Sequence, residues 1–427
     1  GILDGNPTGD PSDYPPVDGA DRMLFVNTDP FLPAPLWIVT PPGGQNDFSS
    51  VSFTELWSRP SVSDDGSVAV FVDTEFNIRA IALDGPPNEQ VIDNSEVWNS
   101  IAISKNQDLL AVTTTLRNAE VYILDISGAT PVARAFEIYT PNYTGENLPN
   151  TAVFADALDF SLDNTTLLFD TYNEIEISGS RLGFWDINLM NVWDPSANMF
   201  GTGKIERVFP QDPDANIGNP MYARTRPTVI TFDAQFADDA TAYAMTMDLL
   251  KGDPVIAGET TFGENGFPSF NGDDSILSFV RIAQNMNVIF NVPLGPDNMT
   301  PAGDPQAFVI AGTAPVWFRT GSRPVAVRPP APPLAMRAEL AANYPNPFNP
   351  STTIPYRLRQ EGHVRLSVHD ALGREVRLLV SGSMPAGAHA AIWDGGADNG
   401  RSLPSGTYFS RLTVDGQTLT KQMLYLK

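Results

Sequence analysis

No cysteine occurs in this 427-residue chain, and its three histidines, His363, His369 and His389, all lie toward the C-terminus. The first absence excludes disulfides, thiolate catalysis, zinc fingers and iron–sulfur ligation together. The second leaves everything before His363 without an imidazole, which excludes Ser–His–Asp and Cys–His catalysis and imidazole-held metals from the main body. Basic residues are scarce too, with 26 Lys+Arg against 50 Asp+Glu and a net charge of -24. The deficit is uneven: residues 330–427 carry 10 basic and 7 acidic side chains, and the rest of the chain 16 and 43. Such an acidic body repels phosphates and anionic membrane surfaces, so nucleic acid is not an expected partner. Solubility is the plain reading of this charge; divalent cation binding or docking to a basic partner is the sharper one. No apolar run approaches the roughly 20 residues that cross a bilayer, so no membrane insertion is expected. The chain begins at Gly1 without a signal peptide, and the expectation is an export signal already removed or lying outside this sequence.

What is present is repetition. Between residues 21 and 322 a short strand, a polar corner, and two further strands recur at intervals of roughly 40 residues, the period of a propeller. One copy runs Pro60-Ser61-Val62-Ser63-Asp64-Asp65-Gly66, Val68 to Val72 and Ile78 to Leu83; the next runs Ile101 to Asn106, Leu109 to Val112 and Val121 to Leu124. A third has Leu158 to Asn164, Leu167 to Phe169 and Phe184 to Asp186, and a fifth has Pro268 to Asp274, Ile276 to Val280 and Val288 to Phe290. The fourth is looser, taking Ile230 to Phe232 as first strand, Phe236 to Asp239 as corner and Ala242 to Met245 as second strand. Asp, Asn and Ser suit such corners because their side chains bond the turn backbone and tolerate its left-handed dihedrals. Strands for a sixth unit come from both ends: Met23 to Val26, Leu36 to Val39 and Val316 to Phe318. Joining them would close the ring and remove open sheet edges. The corner pattern resembles the TolB-like (PD40) propeller repeat, which implies an all-β propeller of six blades, with seven the alternative.

The flanks differ. Residues 1–20, with Pro7, Pro11, Pro15 and Pro16 among Gly and Asp, predict a disordered arm. Residues 323–338 hold a proline-rich, polyproline-type linker. Residues 339–427 follow with strands of period two, such as Val364, Leu366 and Val368 alternating with Arg365, Ser367 and His369, and with glycines at short intervals. These features predict a small immunoglobulin-like β-sandwich. The run Asn343-Tyr344-Pro345-Asn346-Pro347-Phe348-Asn349-Pro350, followed by Gly373, Trp393, Gly406 and the terminal strand ending at Lys427, resembles the C-terminal sorting domain of the type IX (Por) secretion system. The resemblance implies a secreted or cell-surface bacterial protein of the Bacteroidetes type, with the type IX machinery as a partner and those residues as sorting signal. His369 and Pro404 depart from the family's usual aromatic and small residue.

Chemistry-bearing patterns are few. Gly201-Thr202-Gly203-Lys204 lacks the earlier glycine and following Ser/Thr of a phosphate loop. No Gly-x-Ser-x-Gly elbow is present. Asp212, Asp214 and Asn216 alternate like calcium ligands, but Gly218 comes one residue late and Ala223 stands where an EF-hand needs Glu, leaving only a looser calcium site as candidate cofactor site. Paired carboxylates such as Asp64-Asp65, Asp238-Asp239 and Asp273-Asp274 occupy repeated corners, which reads as structure rather than acid–base catalysis. Residues 189–226 read as long connections carrying Trp193, Phe200, Met221 and Tyr222, which either cap the core or contact a partner. Trp37, Trp57, Trp98, Trp185 and Trp317 read as packing between sheets, or as platforms for a sugar. The expectation is a non-enzymatic, exported structural protein acting by protein–protein contact, self-associating or joining another surface protein. The alternative is carbohydrate binding or cleavage at the propeller mouth.

Overall fold

The computed structural model describes residues 14–31, 35–41, 48–86, 88–128, 130–141, 150–177, 179–209, 212–236, 241–261, 266–323, 338–341, 343–346, 348–358, 362–370, 374–385, 387–398, 401–414 and 417–425. Every regular element among them is a β-strand. Strands up to Arg319 and strands from Ala338 onward belong to two separate compact units. The linker lies almost wholly outside the described residues.

Among the described residues the first unit has six four-stranded antiparallel sheets and one two-stranded hairpin. Sheet 1 orders Gly312–Arg319, Asp21–Asn27, Leu36–Val39 and Phe48–Ser52, so strands from the two flanks of the unit share a sheet as the sequence predicts. Sheets 2, 3, 5 and 6 each use four successive strands, and sheet 4 does so but for a two-stranded hairpin, Trp193–Asp194 and Met199–Phe200, set between its third and fourth strands. Sheet 2 runs Ser61–Val62, Val68–Val72, Ile78–Ala82 and Glu89–Asp93; sheet 3 runs Trp98–Ile103, Leu109–Thr114, Glu120–Asp125 and Val132–Glu137. Sheet 4 comprises Ala152–Phe160, Thr166–Ile177, Ser180–Asn191 and Ile205–Arg207; sheet 5 comprises Ala215–Tyr222, Val229–Phe236, Ala242–Asp248 and Val255–Thr260. Sheet 6 holds Ser269–Phe270, Ile276–Ala283, Met286–Pro293 and Gln306–Ile310.

Second strands such as Leu109–Thr114 are buried along their whole length, while fourth strands such as Val132–Glu137 are mostly exposed. That gradient arises because each sheet is covered on both faces near its first strands. Val70, Val72 and Ile78 pack on Ile101 and Val112, joining sheets 2 and 3. Phe136 packs with Phe160 and Phe169 (sheets 3 and 4), Leu168 and Ile187 with Phe232 (4 and 5), and Val229 with Phe270 and Leu277 (5 and 6). Val280 and Ile289 meet Met23 and Trp317 (6 and 1), and Leu24 and Val316 meet Phe71 (1 and 2). Each such fully buried side chain contributes roughly 1.5–3 kcal/mol.

The corners work as the sequence chemistry predicts, and do more. In sheet 2 the Ser63 hydroxyl and the Ser67 N–H both donate to Asp65 Oδ1 (2.7 and 3.0 Å). Asp163 and Asp273 repeat this in sheets 4 and 6. The residue that follows the cap is left-handed every time: Gly66, Gln107, Asn164 and Asp274 have φ of 60–67°. From there its side chain reaches back to the preceding sheet. Gln107 donates to Ser67 Oγ, Asn164 Oδ1 accepts the Lys105 N–H (2.6 Å), and Asp274 accepts the N–H groups of Arg224 and Thr225 (2.7 Å each). At Gly66 a Cβ would stand 2.3 Å from the Arg319 carbonyl oxygen of sheet 1.

Sheet 5 corrects the sequence reading. Ile230 to Phe232 belong to its second strand, and its first strand is Ala215–Tyr222, inside what reads as a long connection. Its corner, residues 223–228, has no Ser-x-Asp-Asp pattern, since the carboxylate that satisfies its N–H groups is Asp274 of the next sheet. Asp238 and Asp239 lie outside the described residues. The arm also departs from expectation where it is described: Val17 is buried, Asp18 N–H donates to Ser322 O (3.1 Å), and Arg323 donates to Pro15 O (2.6 Å).

The second unit has a three-stranded sheet, Ala338–Leu340, Thr352–Leu358 and Gly387–Trp393, and a four-stranded sheet ordered Glu375–Met384, Gly362–Asp370, Gly406–Val414 and Gln417–Tyr425. Their shared core includes Ile354, Val364, Leu366, Trp393, Leu412 and Met423. The one-wet-face expectation fails at Ser367 and His369, which are buried and bonded to each other at 2.9 Å. Tyr408 donates its hydroxyl to Pro404 O (2.9 Å), a side-chain tie across a strand corner.

Candidate functional site

The first strands of sheets 4 and 5 bulge at residues 155–158 and 218–221, and the carboxylates Asp170 and Asp233 bond the residues of these bulges. Asp170 accepts the Asp156 and Ala157 N–H groups at Oδ1 (3.1 and 2.8 Å) and the Asn219 N–H at Oδ2 (2.9 Å). Asp233, its counterpart one sheet later, accepts Asn219 Nδ2, Gly266 N–H and Phe267 N–H, all at Oδ2 (3.0, 2.9 and 3.1 Å), and its Oδ1 is buried without a partner. Burial raises both carboxyls to about 7, with the negative charge of Asp156 adding to the rise at Asp170. Arg59 donates to the carbonyls of Phe267, Pro268 and Pro315 (3.1, 2.9 and 2.8 Å), tying sheet 2 to sheets 6 and 1. Its burial lowers it to about 10. Lys105 Nζ pairs with Asp159 Oδ1 at 2.7 Å, and the Tyr222 N–H donates to the other oxygen (2.9 Å). These groups hold backbone that strand pairing leaves unpaired, a structural use that consumes them.

A different arrangement lies at the corner end of sheets 4 and 5. A cavity of about 620 Å³ is walled by the Ser161–Thr166 corner, Arg134, Asn191, a two-stranded hairpin of Trp193–Asp194 and Met199–Phe200, and Tyr222 with Pro227. Trp193 and Phe200 meet edge to face at 5.5 Å, and Phe200 packs on Phe136 at 6.4 Å. Asn191 Oδ1 accepts Thr202 N–H (2.8 Å) and a Cβ at Gly201 would stand 2.5 Å from that oxygen, so the loop closes only with glycine there. Arg134 donates to Gly201 O (3.0 Å) and lies 4.6 Å over the Phe136 ring. Asp163 and Asp194 each use Oδ1 to cap their turns. The Tyr222 hydroxyl is buried without a hydrogen-bond partner, and its phenol is pushed well above the usual value by burial first, then by Asp163 and Asp159.

Of the four expected contact residues, the structure brings Trp193, Phe200 and Tyr222 to this cavity and leaves Met221 packed against the core between sheets 1 and 2. Trp193 and Tyr222 are buried, so neither offers a flat external surface. The calcium candidates fare differently. Asp212 Oδ1 caps its own turn by accepting Asp214 N–H, and Asn216 Oδ1 accepts Trp185 N–H, a strand-to-strand bond. Among the described residues no three acidic or imidazole groups gather as a metal site. In the second unit Asn343 is buried and donates to Thr352 Oγ1 and Pro345 O (2.8 and 3.2 Å), and Tyr344 is exposed. Asn346 Oδ1 accepts the Leu424 N–H (2.8 Å) and the Phe348 N–H donates to Leu424 O (3.0 Å), so this motif latches the last strand. Phe348, Trp393, Tyr408 and Tyr425 form one ring cluster. Asn349 and Pro350 sit on the exposed bend before Thr352–Leu358, and Gly406 opens the strand Gly406–Val414. Pro347, Gly373 and Lys427 lie outside the described residues. Sequence reasoning missed Asp170, Asp233 and Arg59 as partners and read Asp163 only as part of a repeated corner, because no local motif marks their distant contacts.

Residues 351–417 match the FlgD Ig-like domain family, and the second unit thus carries an Ig-like domain. No curated protein matches the sequence. Among solved structures the chain is similar to TolB from Acinetobacter baumannii, with 17% identity, a TM-score of 0.49, and coverage of 70% of this chain and 68% of that one. It is similar to a TolB from Agrobacterium tumefaciens at 14% identity and TM-score 0.43, covering 69% and 90%. It is also similar to an oligogalacturonate lyase from Vibrio parahaemolyticus at 10% identity and TM-score 0.36, covering 70% and 86%.

Proposed function

We propose that this chain is an exported six-bladed propeller that works by protein–protein contact, as a scaffold or subunit of an assembly at the bacterial surface. The observation that carries the contact role is the placement of exposed apolar side chains. Phe31 (91% exposed), Leu116 (79%), Leu182, Phe236 and Met286 sit at the connections between second and third strands, and Phe53 (72%) and Trp57 on the connection entering a first strand. In a four-stranded antiparallel sheet those two kinds of connection share one end. Contacts between sheets keep these ends together, since Arg117 lies 5.0 Å over Phe154 and Trp57 Nε1 donates to Asn99, whose amide donates to Asp156. Apolar side chains gathered on one end of an otherwise acidic unit fit a partner surface.

The six-blade reading is supported by six sheets of equal strand number and by core packing from each to the next, including sheet 6 to sheet 1. Export through the type IX machinery rests on the resemblance of residues 339–427 and is a proposal of the same standing. Particle size tests the contact role: native material should run as an assembly that Leu116→Asp with Phe53→Asp reduces to the 46.3 kDa chain. A lone chain at every concentration would overturn it. Removal of residues 339–427 should retain the protein inside a type IX-competent cell, and undiminished release would remove the sorting role.

A further inference from the structure

The cavity between sheets 4 and 5 lies at the corner end, opposite the apolar connections, and the contact role makes no use of it. At about 620 Å³ it falls within the roughly 300–1,000 Å³ of small-ligand pockets. One wall is apolar and aromatic, formed by Trp193, Pro195, Met199 and Phe200. The polar part of the lining keeps unused capacity. Asp163 and Asp194 each spend Oδ1 on turn caps, and Asn191 spends Oδ1 on Thr202; their Oδ2 atoms and the Asn191 Nδ2 carry no hydrogen bond among the described residues. Arg134 uses one nitrogen on Gly201 O. Carboxylate acceptors, amide and guanidinium donors and an aromatic wall together suit groups that both donate and accept, which is the property of hydroxyls. An ammonium would use only the acceptors. The two carboxylates outnumber the one guanidinium, and the surrounding unit is strongly acidic, so an anionic ligand is repelled. Among the lining residues the Tyr222 hydroxyl is the one buried side-chain polar atom without a partner.

We propose that this cavity binds a neutral saccharide of one or two rings, its apolar ring face against Met199 and Phe200 and its hydroxyls on Asp163, Asn191 and Asp194. The inference stands apart from the contact role: its residues are at the other end of the sheets, and either can fail alone. Titration calorimetry of the full chain against maltose, cellobiose, lactose and N,N′-diacetylchitobiose, with digalacturonate as the anionic control, tests it. At least one neutral disaccharide should bind saturably at one site, with digalacturonate at least about tenfold weaker. Phe200→Ala should weaken binding at least about tenfold, in line with loss of the aromatic wall. Phe200 packs on Trp193 and Phe136, so Met199→Glu provides the companion variant: Met199 is 55% exposed, and the added charge crowds the mouth without emptying the core. It should weaken the same binding while leaving the melting temperature unchanged. No binding by any neutral disaccharide at about 10 mM, equal binding of digalacturonate, or binding untouched by Met199→Glu would each overturn the proposal.

Discussion

Replacing Asp233 with Asn separates the cost of its charge from the value of its hydrogen bonds. All three donors that reach Asp233 converge on Oδ2, and Oδ1 is buried without a partner. An asparagine can therefore keep its oxygen on the donors and place its NH₂ where nothing is bonded. Asp170 offers no such choice, because both of its oxygens accept backbone N–H groups and an NH₂ would face one of them. For Asp233 the folded-state value is raised from 3.8 to about 7 by burial, against the opposing pull of its donors and Arg59. A raised carboxyl binds its proton in the folded state while the unfolded chain has released it, so stability is greatest below pH 3.8 and falls as pH rises toward 7. Each pH unit inside that window costs about 1.4 kcal/mol, so between pH 5.5 and pH 8 the ionising Asp233 costs about 2 kcal/mol. Asp233→Asn should thus gain about 2 kcal/mol relative to the parent on going from pH 5.5 to pH 8, read as the difference in urea unfolding free energies. Asp170→Asn should show a pH gain of the same sign on top of a constant loss of about 1–3 kcal/mol from the unmatched N–H. Parallel pH profiles for Asp233→Asn and the parent would refute the assignment of a raised carboxyl. A constant loss as large for Asp233→Asn as for Asp170→Asn would refute the hydrogen-bond argument.

Two further outcomes follow from close contacts. Gly66→Ala puts a Cβ against the Arg319 carbonyl at a left-handed position and should cost at least about 2 kcal/mol, seen as a lowered melting temperature of the first unit by calorimetry. Tyr408→Phe removes the bond to Pro404 O and should lower the stability of the second unit by about 1 kcal/mol, leaving the first unit's transition in place.

Much of the strand content was legible because it is written locally. The apolar runs Val68 to Val72, Leu109 to Val112 and Ile276 to Val280 marked strands that the structure draws as Val68–Val72, Leu109–Thr114 and Ile276–Ala283, and Ser63, Asp65 and Gly66 announced a corner through the bonds they make within five residues. That Asn346 and Phe348 hold the last strand was not legible, since Leu424 lies 78 residues beyond Asn346 along the chain.

Sequence alone determined the all-β character, the corner chemistry, the acidic body and the absence of imidazole and thiol chemistry before His363. Those properties reside in residue types and in neighbours a few positions apart. Tertiary structure decided which strand begins sheet 5, because its corner borrows Asp274 from the next sheet in place of a local cap. It also decided that Asp170 is buried and Asp233 Oδ1 enclosed, and that Arg134, Asp163, Trp193 and Tyr222 wall one cavity. These are matters of pairing between distant segments, where burial and electrostatic surroundings arise only once the sheets have packed.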